Sequence, residues 1–363
     1  MSAESTKTRA TSGDERERCE STRVTKVTLS PGVFITFDVE CSMGGAWRDE
    51  RLKPVTPERA IWGRFGDQEL GIPLLVKTLD ENGLKGTFFV DAFTDDQGYP
   101  GQMEPVCHYL LDRGHDVQLH VHPNKKHYGM KMRGEPHPRT DRIADLDANA
   151  QLALIEEGAE RIRRWTGSRP VAFRAGNMAA SEETLRQLES AGILIDSSYT
   201  FPYSGGQCRF QERDDYNGSR WYGGVLELAL SGVRFPRLPG LHPAQPLDLV
   251  GMSFPECRDA VQSICTSGAD VVWILHSFSL FKWRTVQYDG GRLNRIVARR
   301  YRAMCRWLGE NAGQFPCRTF REVAVAISEG RYRAASVAPG LLANPLRSYM
   351  RRGVQVWNNL YWT

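Results

Sequence analysis

The sequence DVQLHVHP at residues 116–123 is an apolar run that ends in two histidines, His120 and His122. Side chains two residues apart on a strand point to the same face of a sheet, so both imidazoles would face one way. An earlier run, FITFDVE at residues 34–40, ends in the same manner with two carboxylates. Two imidazoles and a carboxylate, with coordination positions left open, form the inner shell of a hydrolytic metal site. The two runs therefore predict strands whose ends deliver metal ligands to one side of a sheet.

Short apolar runs alternate with helical patterns along the rest of the chain. The predicted strands lie at residues 33–38, 86–90, 116–122, 171–174, 193–195, 225–230 and 270–275. The predicted helices lie around residues 72–79, 106–110, 149–166, 182–191, 292–309 and 319–328. Repeated alternation of strands and helices is typical of an α/β fold with a mostly parallel sheet.

The composition of the 363-residue chain excludes several classes of protein. The chain is 41% hydrophobic and 25% charged, which suffices for one barrel-sized domain or two smaller ones. The net charge of +4 is small, and no basic stripe interleaved with aromatic residues indicates nucleic acid binding. We find neither a signal peptide nor a spanning apolar run and therefore expect a cytoplasmic protein. The eight cysteines include no Cys-x-x-Cys pair, so free thiols are expected.

Four segments differ from this regular pattern. Residues 1–30 are polar and rich in Ser, Thr and charge, which predicts a disordered leader. The stretches 123–145 and 199–224 show little periodicity, and we expect them to be loops over the site. Residues 331–363 hold five arginines, no acidic residue and several aromatic residues. We interpret this segment as a basic, partly disordered tail; the alternative is a peripheral contact with the inner face of the membrane or with a partner.

Three further predicted strands end in ionisable residues, namely Arg174, Asp196 and His276. Catalytic groups lie at the carboxyl ends of the strands in barrels of parallel strands. Each residue also has an ordinary interpretation: a structural ion pair for Arg174, a turn cap for Asp196 and a buried, hydrogen-bonded histidine for His276. The prediction of an active site therefore depends on the combination of residues rather than on any one of them.

The order and spacing of these motifs resemble the polysaccharide deacetylases, which are carbohydrate esterase family 4 or the NodB-homology domain. The motifs are TFDVE at 36–40, GHDVQLH at 114–120, FRAG at 173–176, DSS at 196–198 and LHS at 275–277, and GTFFV at 86–90 looks like the family's second strand. The similarity is greatest to a WbmS-like branch found in lipopolysaccharide O-antigen gene clusters. For residues 31–330 the resemblance implies a distorted (β/α) barrel with an incomplete strand count.

The resemblance also implies a chemistry and a set of residues. It implies a divalent metal ion, zinc foremost with cobalt or nickel as alternatives, and removal of an acetyl group from an N-acetylated sugar. The implied metal ligands are Glu40, His120 and His122. The implied catalytic residues are Asp38 as base, Arg174 as the group that orients it, His276 as general acid and Asp196 as the group that tunes His276.

Two departures from the family pattern concern spacing. The family's paired carboxylates are adjacent and its histidines are four residues apart, whereas here Val39 and Val121 separate each pair by one residue. Both changes keep the ligands on one face of a strand. They leave open whether Asp38 or Glu40 binds the metal, and whether the substrate is a long polymer.

The leading hypothesis is a metal-dependent N-deacetylase that acts on a nucleotide-linked, lipid-linked or oligomeric amino sugar. One alternative is an amidase on the same scaffold that hydrolyses a non-sugar or cyclic amide. Another is a carbohydrate-binding protein that has kept the fold without catalysis. Five aromatic residues are candidates for stacking on a sugar ring, although packing is the default role of each: Trp47, Tyr199, Tyr203, Trp221 and Tyr222.

Overall fold

The computed structural model describes residues 27–212, 214–236, 243–342 and 344–360. Most of the predicted leader, residues 1–26, lies outside the described residues. The described strands are β1 Val33–Val39, β2 Arg64–Phe65, β3 Gln68–Glu69, β4 Thr87–Asp91, β5 Asp116–Val121, β6 Ala172–Ala175, β7 Ile195–Asp196, β8 Asn217–Tyr222, β9 Val225–Leu228, β10 Gly232–Arg234, β11 Ala244–Pro246, β12 Val271–His276, β13 Phe281–Lys282, β14 Arg292–Leu293 and β15 Ser336–Val337. The described helices are α1 Pro57–Ala60, α2 Ile72–Asp80, α3 Met103–Leu111, α4 Pro123–Met132, α5 Ala148–Thr166, α6 Glu182–Ser190, α7 Phe254–Thr266, α8 Arg295–Glu310, α9 Phe320–Ser328 and α10 Pro345–Leu360.

The main sheet has nine strands in the order β12-β1-β4-β5-β6-β7-β9-β8-β15. The first seven of these run parallel to one another, and β8 and β15 extend the sheet in antiparallel pairs. A parallel bridge joins Leu230, just beyond β9, to Val272 of β12, so the parallel strands curl back on themselves. Seven parallel strands with helices on the outside form a distorted (β/α) barrel with one strand fewer than the regular eight. The predicted fold class is confirmed.

Alternation along the strands separates two hydrophobic layers. On β1, Phe34 faces the barrel interior, whereas Val33 and Ile35 belong to the layer between the strands and the surrounding helices. The interior layer also contains Phe320 at the start of α9, whose backbone N–H donates to the Thr87 hydroxyl at 3.1 Å. Helix α9 thus closes the end of the barrel at which the strands begin. At the opposite end, where the strands finish, the inward-facing side chains are polar.

Several helix boundaries follow from local signals in the sequence. Ser181 begins α6 with a reciprocal capping box, and Asp147 caps α5 by accepting the Ala150 N–H at 2.9 Å. The histidine run of β5 ends where Pro123 begins α4, because proline is well suited to the first position of a helix. This helix corrects the prediction that all of residues 123–145 form a loop.

Two other segments contain more structure than predicted. The stretch 199–224 includes β8, which forms a hairpin with β9. The tail, residues 331–363, includes β15, paired with β8, and the 16-residue helix α10. These elements correct the expectation of an aperiodic loop and a partly disordered tail. The seven cysteines of the described residues form no disulfide. Among the described residues no helix combines the length and apolarity that crossing a membrane requires.

Candidate metal centre

Strands β1 and β5 bring three predicted ligands together at the carboxyl end of the barrel. One potential ligand atom from each of Glu40, His120 and His122 lies within 4.8 Å of the other two. The rings of His120 and His122 are 4.9 Å apart between centroids and nearly perpendicular. All three side chains occupy the inward phase of their strands. The i, i+2 spacing in each run therefore produces the convergence that the sequence predicts.

His120 is oriented so that one ring nitrogen is available. Its Nδ1 lies 2.8 Å from the Arg174 carbonyl oxygen, which fixes Nδ1 as the donor. The other nitrogen, Nε2, is buried and has no hydrogen-bond partner among the described residues. Burial lowers the pKa of His120, and the nearby Asp38 carboxylate offsets this only in part, so the imidazole is neutral. A neutral imidazole with an unsatisfied, buried Nε2 is the form that binds a metal ion.

His122 lies between two carboxylates. Its Nε2 is 2.7 Å from Glu40 Oε2, and its Nδ1 is 3.0 Å from both carboxylate oxygens of Asp141. Burial would lower the pKa of His122, but Asp141 and Glu40 outweigh burial and raise it well above its ordinary value. Asn177, in the left-handed region at φ 58°, donates to Asp141 Oδ2 at 2.8 Å. Asp141 therefore contacts His122 in the way that a carboxylate usually orients a metal-binding histidine, through the ring nitrogen that does not bind the metal.

The second carboxylate of β1, Asp38, forms a buried ion pair with Arg174. Arg174 Nη1 lies 2.7 Å from Asp38 Oδ1, with both side chains almost inaccessible to solvent. Burial raises the pKa of Asp38, but the Arg174 guanidinium and nearby imidazoles more than offset it and lower the pKa. Arg174 also donates to the Thr36 hydroxyl and to the Ser197 carbonyl, both at 3.0 Å. Asp38 is thus an ionised carboxylate held in a fixed position by Arg174.

A buried lysine is the main feature that the sequence analysis missed. Lys125, on the first turn of α4, places Nζ 3.2 Å from Glu40 Oε2 and 3.4 Å from Asp91 Oδ2. Burial disfavours its charged form, but Asp91 and Glu40 raise its pKa above the ordinary value. Asp91 also accepts the His122 backbone N–H at 3.0 Å. Asp91 is the last residue of β4 and lies two residues after Phe89, which faces the barrel interior. Strand alternation could therefore have predicted that Asp91 faces the site, whereas Lys125 has no comparable signal in the sequence.

The structure places Asp196 differently from the prediction. Its neighbour Ile195 faces the barrel interior, so Asp196 points outward, where it shares a buried site with the Glu227 carboxyl group. Burial and the Asp196 charge raise the pKa of Glu227 well above its usual range. Ser198 donates to Asp196 at 2.7 Å and accepts the Ala175 N–H at 2.9 Å. The geometry therefore makes Asp196 a support for β6 and sets it apart from His276.

His276 stands beside the cluster and is partly open to the cavity. Its Nε2 lies 3.8 Å from Glu40 Oε1, and its side chain is 36% exposed. Asp248, a residue that sequence analysis did not single out, lines the same cavity. Burial raises the pKa of Asp248, and the hydrogen bond from the Val250 backbone N–H opposes that rise, as does the neighbouring His276 side chain. Asp248 follows β11 in a segment without a recognisable motif, so only the folded chain brings it to His276.

The cavity above these residues has a volume of about 650 Å³. Amide side chains on its wall include Asn177, Gln207 and Gln245. Of the five aromatic residues considered for sugar stacking, only Tyr203 lines the described cavity. Tyr199 is fully buried and stacks on Tyr216 at 4.4 Å between centroids, which is a packing role.

The donor set fits a divalent metal ion. Two imidazoles and one carboxylate are the ligands of many catalytic zinc sites, which leave further positions open. Each histidine has its outer nitrogen hydrogen-bonded to a carbonyl or a carboxylate, and His120 Nε2 is an unsatisfied acceptor inside the cluster. The residues Glu40, His120 and His122 could hold the ion, and Asp38 is adjacent.

Comparison with known proteins gives a family match and several structural neighbours. Residues 54–195 match the family model described as polysaccharide deacetylase, a range that includes His120, His122 and Arg174 and begins after Glu40. Comparison with curated protein sequences gives no match. Among solved structures, a 4-α-glucanotransferase from Thermococcus litoralis has a TM-score of 0.50 at 13% identity, covering 88% of this chain and 43% of that one. A Mycobacterium smegmatis protein assigned as a polysaccharide deacetylase has a TM-score of 0.48 at 15% identity, covering 86% and 97%. A family 4 carbohydrate esterase from Streptomyces lividans, in complex with acetate, has a TM-score of 0.38 at 12% identity, covering 85% and 98%.

Proposed function

We propose that the chain is a metal-dependent hydrolase that removes the acetyl group from an N-acetylated amino sugar, since residues 54–195 match the polysaccharide deacetylase family model. The observation that carries this proposal is the convergence of Glu40, His120 and His122. We propose zinc as the metal ion, since a site of two imidazoles and one carboxylate suits it, with cobalt and nickel as the alternatives.

The residues around the cluster have complementary roles. A bound divalent metal lowers the pKa of water from about 16 toward 7 and polarises a carbonyl oxygen. Asp38, ionised and held by Arg174 at 2.7 Å, accepts the proton that the attacking water loses. Thr36 and Ser197 hold the guanidinium on its other sides, so the carboxylate cannot rotate away. We assign Glu40 as the metal ligand because it contacts His122, the second histidine of the cluster. We assign Asp38 as the general base because it pairs with Arg174 instead.

His276 is proposed as the general acid. The amine of the sugar leaves only after it is protonated, and an imidazolium facing the cavity can supply that proton. His276 lines the cavity and is reachable from solvent, which also allows it to be reprotonated. Glu40, whose Oε1 lies 3.8 Å from His276 Nε2, and Asp248 are carboxyl groups that line the same cavity as His276.

The cavity supports a saccharide as the substrate. Its volume of about 650 Å³ lies within the range of small-molecule sites, and carboxamide side chains on its wall can bind sugar hydroxyls. Tyr203, which is 41% exposed, offers a ring on which a sugar can stack. The resemblance to the O-antigen branch supports a lipopolysaccharide precursor as the N-acetylated compound.

Metal content and acetate release together test this function. We expect about one divalent ion per chain by mass spectrometry, and loss of that ion from the His120→Ala/His122→Ala variant. Asp38→Asn should keep the ion and lose about 10²- to 10⁴-fold in acetate release. The matched control is His108→Ala, which alters an exposed histidine on α3.

The outcomes separate the candidate functions. A wild-type chain that binds no ion after incubation with zinc, cobalt or nickel would refute the proposal. A metal-loaded chain that hydrolyses cyclic amides and leaves N-acetylhexosamines intact is an amidase of another substrate class. A metal-loaded chain that binds a saccharide without releasing acetate is a binding protein.

A further inference from the structure

Helix α10 packs against the barrel through its polar residues. Ser348, Arg351 and Asn358 are buried, and they lie on one side of the helix at about 100° per residue. Arg351 Nη1 donates to Gln245 Oε1 at 2.9 Å and to the Gly251 carbonyl at 2.8 Å. Its Nε lies 3.2 Å from Glu256 Oε1, and its guanidinium lies over the Phe235 ring at 4.6 Å. Specific polar contacts therefore fix which face of α10 points inward.

The opposite face of α10 is apolar and faces solvent. Leu346, Met350 and Val354 recur every four residues and are 69%, 63% and 42% exposed. Tyr349, Val356 and Trp357 are also exposed on this side of the helix. These six residues together are called the apolar sector of α10. A helix at the surface of a water-soluble domain normally has the reverse arrangement, with its apolar stripe toward the core. The exposed apolar residues of α10 are contiguous, which distinguishes them from single surface hydrophobics.

Charge around this sector indicates what covers it. Arg347 and Arg352 lie at its two edges, about 100° and 240° around the helix from Leu346. Arg347 Nη1 pairs with Asp259 Oδ2 at 2.6 Å, and its side chain is still 45% exposed. Residues 331–363 contain five arginines and no acidic residue. An apolar stripe with arginines along both edges and with Trp and Tyr beside it matches a helix lying in the headgroup region of an anionic bilayer. Arginine side chains at such edges can reach the phosphates while the stripe enters the acyl region.

The contacts of Arg351 connect this helix to the candidate active site. Gln245 and Gly251, which Arg351 bonds, both line the 650 Å³ cavity that contains Asp38 and His276. A bilayer bound to the outer face of α10 would therefore lie one helix away from the cavity wall. We propose that α10 is a membrane-surface helix and that the cavity acts on saccharides whose lipid anchor remains in the bilayer. The substrate half of this inference rests on the proposed deacetylase function.

Vesicle sedimentation with the full chain tests the membrane contact. The probes are vesicles of phosphatidylcholine alone and vesicles that also contain phosphatidylglycerol. We expect the wild type to bind the anionic vesicles and the Leu346→Gln/Met350→Gln/Val354→Gln variant to lose about tenfold or more of that binding. The matched control, Met132→Gln/Val286→Gln/Val325→Gln, changes three exposed apolar residues elsewhere and should bind as the wild type does.

Three results would overturn the membrane contact. The first is that the wild type binds neither kind of vesicle. The second is that the α10 variant binds as well as the wild type. The third is that light scattering shows a wild-type dimer that the α10 substitutions dissociate, with no vesicle binding. The last result would assign the apolar sector to a second copy of this chain.

Acetate release distinguishes failure of this inference from failure of the proposed function. On a soluble N-acetylated sugar, the α10 variant should match the wild type within about twofold, since its substitutions face away from the cavity. On an N-acetylglucosamine glycolipid embedded in anionic vesicles, it should be slower by about tenfold or more. Equal rates on the glycolipid would refute a membrane-anchored substrate. Vesicle binding without acetate release from either substrate would refute the deacetylase function and leave the membrane contact standing.

Discussion

Gly176 provides a direct test of the candidate metal centre, because the ring of His122 occupies the space that a side chain at position 176 would need. A Cβ at position 176 would lie 2.5 Å from Nδ1 and 2.6 Å from both Cε1 and Cγ of that ring. Ordinary contacts between such atoms are about 3.5 Å, so Gly176→Ala requires the ring to retreat by about 1 Å. The ring cannot do so freely, since Glu40 and Asp141 hold its two nitrogens at 2.7 and 3.0 Å.

The expected consequence is weaker zinc binding and about 10²-fold slower acetate release, which is the scale of a 1 Å misplacement at a reacting centre. Overpacking should also cost about 1–3 kcal/mol of unfolding free energy. Zinc affinity is measured by competition with a chromophoric chelator, and stability by urea unfolding with the metal removed. Gly313→Ala is the control, since a Cβ there meets no atom within 4 Å. If Gly176→Ala binds zinc as tightly as Gly313→Ala does, His122 is not a metal ligand.

Three further predictions concern buried polar groups. Asp141→Asn removes the charge that faces His122 Nδ1 but keeps a hydrogen-bond acceptor, so zinc affinity should fall about tenfold. Asp141→Ala removes the acceptor as well, and zinc affinity should fall nearer 100-fold. Competition with a chromophoric chelator measures both affinities, and equal losses would contradict the role of the acceptor. Arg174→Met leaves the Asp38 charge buried without its partner and should cost about 3–5 kcal/mol, part of which Asp38→Asn restores; urea unfolding of the metal-free variants checks this. Burial lowers the pKa of His115 to about 4 from 6.5, so the unfolded chain binds a proton that the native chain refuses, and stability should fall by up to about 3 kcal/mol as the pH drops from about 6.5 toward 4. His115→Gln should flatten this part of the unfolding free energy against pH; an unchanged slope would contradict it.

The sequence was most informative where function follows strand alternation. A period of two places Asp38, Glu40, His120 and His122 on the inward face of β1 and β5, and the structure places all four there. Alternation also explains the one misplaced residue. The run at 193–195 predicts a strand, but Ile195 takes the inward position, and Asp196 consequently faces the outer layer. A shift of one residue reverses the face of every side chain on a strand.

Residues contributed by loops and helix starts could not be located in this way. Asp141 reaches His122 from 19 residues away, and Lys125 reaches Glu40 across 85 residues. Neither has a local signal, because its position depends on how α4 and the following loop pack on the barrel. The helix α10 was missed for a different reason. Its apolar residues Leu346, Met350 and Val354 do recur at helical spacing, but the five arginines and the absence of acidic residues in 331–363 favoured a basic, partly disordered tail over a helix.

The buried charges near the cluster give an argument for a divalent ion that does not depend on family resemblance. Four carboxylates surround it: Asp38, Glu40, Asp91 and Asp141. Two cationic side chains, Arg174 and Lys125, oppose them, which leaves two negative charges when both histidines are neutral. Uncompensated buried charge is costly, and without an ion the raised pKa of His122 allows one proton to offset half of it. A divalent cation held by Glu40, His120 and His122 would balance both charges and take the place of that proton. Lys125 sets this balance, since without its amine three negative charges would remain and a single divalent ion could not neutralise them.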